Sequence, residues 1–99
     1  MLTLFQNKVY KICKKIPKGK VSTYSSIAKK LKSGPRAVGN ALNKNPYAPK
    51  IPCHRVIKSN EEVGGFESGT KNKIRMLREE GVVIINNKID LKKFGFSLK

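Results

Sequence analysis

The sequence predicts a mainly α-helical domain of winged helix-turn-helix type, closed by a small C-terminal β-hairpin. Three observations predict it. A chain of 99 residues that is 38% hydrophobic has room for one modest core. Apolar residues recur at three- and four-residue steps in successive short segments separated by Pro and Gly. Only the stretch after Gly81 turns to consecutive branched apolar residues.

From Thr3 to Ile16, Phe5, Val9, Ile12, Cys13 and Ile16 fall on one helical face, and Pro17 and Gly19 end the run. On this stripe Cys13 reads as a small buried hydrophobe. Ser22 is placed to cap a second helix carrying Tyr24, Ile27, Ala28 and Leu31. After Ser33-Gly34-Pro35, with Ser33 as cap and Pro35 in the first turn, Arg36 to Lys44 reads as a third helix that buries Ala37, Val38, Ala41 and Leu42. Two short helices joined by a tight Gly-containing turn form a helix-turn-helix. The small residues Ala37, Gly39, Asn40 and Ala41 suit close approach to a groove, although Gly39 serves helix packing equally well.

Asn45-Pro46 stops that helix, and Pro49 and Pro52 keep Ile51 to Ile57 extended or tightly turned. Ser59 to Gly65 reads as a loop, and Gly69 to Glu80 as a helix with Ile74, Met76 and Leu77 on its stripe, stopped by Gly81. Val82-Val83-Ile84-Ile85 and Ile89-Asp90-Leu91, around Asn86-Asn87, read as the hairpin. The expected organisation is a single domain over residues 1–99: a core to Gly81, the hairpin over 82–91 and a tail over 92–99.

Lys and Arg number 22 against 6 Asp and Glu, a net charge of +16. Such a surface attracts polyanions, because each cation near a phosphate releases condensed counterions. Nucleic acid is the leading partner; a merely solvated lysine coat, suited to high temperature, is the alternative. The lysines are spread over the chain rather than gathered on one amphipathic helix, so a membrane surface is not the expected partner. No apolar run approaches the roughly 20 residues a spanning helix needs, and the N-terminus has no signal-peptide pattern. An intracellular location is expected. Two cysteines and one histidine lack metal-ligand spacing, so no metal and no cofactor are expected and both cysteines read as free thiols.

Cys53 stands beside His54, the only histidine, in a proline-framed segment. A thiol beside a base is a candidate nucleophile. Neighbours on an extended segment point apart, so His54 would need a bend or a water to reach Cys53. A third group would orient the imidazole. Of the six acids, Glu79 and Glu80 at the helix end are the plausible choices.

Ile51-Pro52-Cys53-His54-Arg55-Val56 resembles the active-site motif of the O6-alkylguanine-DNA alkyltransferases, which repair DNA by direct reversal. The resemblance extends to Gly19-Lys20-Val21-Ser22-Thr23-Tyr24, to Pro35-Arg36-Ala37-Val38-Gly39-Asn40-Ala41, to Asn45-Pro46, to Val63-Gly64-Gly65-Phe66 and to Leu77-Arg78-Glu79-Glu80-Gly81. It implies that Cys53 takes the alkyl group of O6-alkylguanine, with O4-alkylthymine as a further candidate, irreversibly and once per molecule. His54 would act as base through water, Glu80 would hold His54, Tyr24 would hydrogen-bond to or protonate the guanine ring, and Asn45 would brace the turn. Arg36 would fill the stack left by the flipped base. Tyr24, Ala37, Gly39, Asn40 and Ala41 would meet double-stranded DNA in the minor groove. Pro52, Val56, Phe66 and Glu67 would line the pocket, with backbone groups of Cys53, Val56 and Glu67 reading the guanine edges.

Phe66 stands where family members often carry Tyr, and Ser68 replaces a glycine of the familiar pattern. The N-terminal domain of many relatives has no counterpart expected here, and a monomer is expected. Two other functions fit parts of the pattern: a lesion sensor that binds alkylated DNA without repairing it, against which Cys53 argues, and a winged-helix regulator for which the charge and the helix pair suffice.

Overall fold

The computed structural model describes residues 3–44, 52–64 and 70–97. Helix α1 spans Leu4–Cys13 and opens with a reciprocal cap: the Thr3 side chain accepts from the Gln6 amide at 3.0 Å, and the Gln6 side chain accepts from the Thr3 amide at 2.9 Å. Regular helix ends at Cys13 rather than at Ile16. The remaining residues tighten into turns, Lys15 N to Ile12 O and Ile16 N to Cys13 O, because Pro17 disfavours helical backbone at the residue before it. Ile16 is nonetheless fully buried, as the periodicity requires.

Strand β1, Ser22–Thr23, precedes α2, Tyr24–Lys30. The cap of α2 is Thr23, whose hydroxyl accepts from the Ser26 amide at 3.0 Å. Ser22, the expected cap, is drawn into the strand and buried. A similar displacement separates α2 from α3, Pro35–Asn43: Gly34 occupies the N-cap without a side-chain bond. Ser33 instead closes α2, its amide donating to Ala28 O at 2.8 Å while Lys32 takes the left-handed conformation at φ 55°. The expected helix-turn-helix is therefore present, with both boundaries shifted by one residue.

Cys53–Arg55 form one turn of 3-10 helix, followed by strand β2, Val56–Ile57. Strands β1 and β2 pair in parallel, Ser22 opposite Val56 and Thr23 opposite Ile57. Helix α4, Thr70–Glu79, ends where Gly81 adopts φ 94° and Val82 N donates back to Leu77 O at 3.0 Å. The expected hairpin is present in its shortest form, a two-residue turn at Asn86 and Asn87 (φ 51° and 63°) closed by paired bonds between Ile85 and Lys88, each 3.0 Å. Its outgoing arm pairs with the loop before it, through Val63 N to Asn87 O and Ile89 N to Glu61 O. Leu91 is not in a strand. Asp90 accepts from the Lys92 amide at 3.0 Å and starts a short helix α5, Leu91–Phe94.

The core has two halves. Val9, Tyr10, Ile12, Cys13 and Ile16 of the first segment meet Ile27, Ala28, Val38, Ala41, Leu42, Cys53 and Val56 in one. Val21, Ile57, Val63, Leu77, Val82, Ile84 and Ile89 form the other. Strand β2 lies between them, its alternating side chains sending Val56 into the first and Ile57 into the second.

Candidate active site and nucleic-acid interface

The proline-framed segment resolves into a tight turn rather than an extended one. Pro52 is buried at its entry, Cys53 is 6% exposed and His54 2% exposed. Successive residues of a 3-10 turn diverge by about a third of a revolution. His54 thus leaves the cysteine side and reaches the end of α4, where its Nε2 lies 3.0 Å from Glu80 Oε2. Of the two carboxylates the spacing left open, the structure selects Glu80. Glu79 is exposed and pairs with Arg75 instead.

Arg55 completes this cluster in a way sequence reasoning missed. Its Nε donates to Glu80 Oε1 at 2.9 Å and its NH2 to Glu80 Oε2 at 2.6 Å, while NH1 donates to the Ile16 carbonyl at 2.9 Å. The guanidinium therefore ties the 3-10 turn to α4 and to the end of the first segment. Burial alone would raise the Glu80 pKa, but the bonds from Arg55 and His54 outweigh it and hold the carboxyl below its ordinary value. Burial lowers the His54 pKa below its usual value, against the opposing pull of Glu80. An ionised Glu80 only accepts, so the neutral imidazole carries its proton on Nε2 and leaves Nδ1 bare.

Tyr24, half-buried at the start of α2, faces Lys73 of α4, whose Nζ donates to Tyr24 Oη at 3.3 Å and to the Val56 carbonyl at 2.7 Å. Lys73 is fully buried, and burial draws its pKa down to about 8, opposed by the nearby thiols of Cys53 and Cys13. No sequence signal singled it out, because a lysine in a chain with 22 basic residues looks like part of the coat. Burial pushes the Tyr24 phenol up to about 12, so it remains protonated at neutral pH. Cys13 is buried and pushed up to about 12, first by burial and then by Cys53, which makes it an inert core thiol. Neither cysteine is in a disulfide.

On α3, Arg36 and Asn40 are exposed, and Ala37 and Gly39 half-buried. Among the described residues a side chain at Gly39 would meet nothing within 4 Å, so this glycine answers no packing need there. Ala41 departs from the expectation of a groove contact. It is 3% exposed in the core, and its carbonyl accepts from Tyr10 Oη at 2.6 Å. The helical period turns it inward while Arg36 and Asn40 face out. Val56 is fully buried, and one lone pair of its carbonyl is already engaged by Lys73. Asn45, Phe66 and Glu67 lie outside the described residues. Among the described residues, no group of three or more His, Cys, Asp or Glu could hold a metal ion, and no helix is long and apolar enough to cross a membrane.

A helix-turn-helix set against a buried cysteine that is followed by a histidine–glutamate–arginine cluster defines a class of small helical domains. Residues 4–82 match the family described as 6-O-methylguanine DNA methyltransferase, DNA binding domain, and the chain belongs to that family. The methylated-DNA–protein-cysteine methyltransferase of Saccharolobus solfataricus is 52% identical over 80 residues, which are 81% of this chain and 52% of that protein. The O6-methylguanine-DNA methyltransferase structure from Pyrococcus kodakaraensis superposes with a TM-score of 0.77 at 43% identity, over 82% of this chain and 48% of that one. The chain thus spans about half the length of these relatives. S. pombe Atl1, in complex with damaged DNA containing O6-carboxymethylguanine, is similar over 98% of both chains, with a TM-score of 0.87 at 31% identity.

Proposed function

We propose that the protein reverses O6-alkylation of guanine in double-stranded DNA by moving the alkyl group to Cys53, once per molecule. The observation that carries this reading is the His54–Glu80–Arg55 cluster directly behind Cys53. With Nε2 held by Glu80, Nδ1 of His54 is free to take the thiol proton through a water. The Cys53 sulfur then attacks the alkyl carbon, the S–C bond forms and the C–O6 bond breaks. The electron pair passes to the purine, and the Tyr24 hydroxyl donates to its ring nitrogen. A thioether resists attack by water, so nothing restores the thiol.

The basic surface and α3 support binding of the duplex. Arg36, exposed in the first turn of α3, fills the stack when the lesion is flipped, and Gly39 and Asn40 contact the groove. Asn45, Phe66 and Glu67 belong to this reading as the brace of the turn and the pocket wall. The protein acts inside the cell, as a monomer.

The test is intact mass after incubation with a duplex containing O6-methylguanine, followed by peptide mapping. Expected is a gain of one methyl in place of hydrogen, located on Cys53 and ceasing after one equivalent. The likeness to S. pombe Atl1, solved with DNA containing O6-carboxymethylguanine, supports binding of alkylated DNA, and binding without transfer is the alternative. Tight binding of the modified duplex with no mass gain would establish that alternative and overturn the proposal.

A further inference from the structure

The first acid of the chain is Glu61, and the 60 residues before it carry 14 of the 22 basic ones. Helix α1 and the turn that continues it lie wholly within that stretch, and there Lys8, Lys11 and Lys15 are exposed. At 3.6 residues per turn the three fall within about 60° of one another and run about 10 Å along the axis. Val9, Tyr10, Ile12 and Cys13 take the other side and are buried. Spacings of three and four residues set each lysine beside the next, where like charges destabilise a helix. None of the three has an ion-pair partner among the described residues. A coat suited to heat interleaves lysine with acids in networks. This face carries one sign only, which is how a surface draws a polyanion.

The α1 lysines are not on the face that the proposed function gives to DNA. Helix α3 turns Val38, Ala41 and Leu42 into the same core cluster as the buried side of α1, and Tyr10 Oη donates to the Ala41 carbonyl at 2.6 Å. Arg36 and Asn40 therefore point away from α1, as its lysines point away from α3. Packed helices lie about 8–10 Å apart and each is about 10–12 Å across with its side chains, so about 20 Å separates the two faces. A straight duplex seated on α3 does not reach Lys8, Lys11 and Lys15. We propose that this face of α1 holds the phosphate backbone of a second segment of duplex DNA, so that one molecule bridges two segments. The proposal rests on the reading of α3 as the face that meets the first. Lysines act as point charges on phosphate, so the second segment is held whatever its sequence. Among the described residues of α1, Leu4 is the one large apolar side chain left exposed. A membrane surface requires a whole apolar face beside the basic one.

The experiment tethers a biotinylated duplex to beads, adds the protein below saturation and measures capture of a second, fluorescent duplex of unrelated sequence. The wild type is expected to capture it, with a log–log slope of affinity against salt of about −3 for three phosphates. The triple variant Lys8→Gln, Lys11→Gln, Lys15→Gln is expected to lower capture about tenfold or more. Its affinity for a single short duplex should stay within about twofold, and its rate of methyl transfer should not change. Thermal unfolding checks its fold. Should the triple variant not fold, each single change is expected to make the capture slope shallower by about one. Capture by the triple variant at the wild-type level, or single changes that leave the slope as it was, would overturn the proposal. So would a triple variant that loses single-duplex affinity together with capture, since all the cations would then meet one duplex. Retention of phosphatidylglycerol vesicles in place of the second duplex also overturns it. A wild type that binds the tethered duplex and captures no other overturns the bridging alone and leaves the proposed function standing. A wild type that binds no duplex fails in that function, and the proposal fails with it.

Discussion

Glu80 shares its two oxygens between Arg55 and His54, so one carboxylate controls both the anchoring of the 3-10 turn and the orientation of the imidazole. Glu80→Gln keeps the volume but weakens both charge-assisted bonds, and is expected to cost about 2 kcal/mol of stability and to slow transfer about tenfold or more. Denaturant unfolding and the mass-gain rate check the two parts separately. The pH dependence has a definite sign. The folded His54 titrates below its unfolded value near about 6.5, so the unfolded chain binds a proton that the folded one refuses, and stability declines as pH falls from there to the folded value. Glu80, also held low, contributes in full above about 4.3 and loses that contribution as pH falls through its folded value. The unfolding temperature should therefore drop in two stages on acidification, with the upper stage absent in His54→Gln. At this scale residue type singled out Cys53 and His54, spacing left Glu80 as one of two candidates until the motif resemblance named it, and Tyr24 came from that resemblance alone. Arg55 and Lys73 were not legible, because what distinguishes them from the other basic residues is the contacts they make.

Each helix boundary follows local chemistry that the sequence spells ambiguously. Ser22 and Thr23 are both competent caps, and the parallel pairing with Val56–Ile57 takes Ser22 and leaves Thr23 to cap α2. Thr23→Ala should cost about 1 kcal/mol, whereas a cap at Ser22 would leave that substitution nearly silent. At the other end of the site, Gly81 turns the chain at φ 94° immediately after Glu80, with open space where a side chain would go. Gly81→Ala is expected to destabilise by about 1 kcal/mol through backbone strain alone, read as a lower unfolding temperature with no change in the mass gained on Cys53. The Asn86–Asn87 turn was visible as a hairpin from its asparagines. The parallel β1–β2 pair was not, since two-residue strands carry no periodicity and their partners are far apart in the chain.

Under the proposed function, the net charge of +16 sets how DNA is met before any base is read. If the exposed lysines and Arg36 neutralise on the order of five phosphates, log affinity should fall against log salt with a slope of about −4 to −5. Titration of an unmodified duplex at several salt concentrations measures it, and Arg36→Ala should make the slope shallower by about one. A slope near zero would mean that the lysines are only a solvated coat. The order and type of helices, the inward stripe of α1, the helix-turn-helix and the cysteine motif are all written in residue spacing, because helical period and the Pro and Gly stops act over a few neighbours. Which serine or threonine caps, and how a lysine comes to lie beneath Tyr24, were decided by packing. Those outcomes depend on distant segments competing for one small core, and local spacing holds no record of that competition.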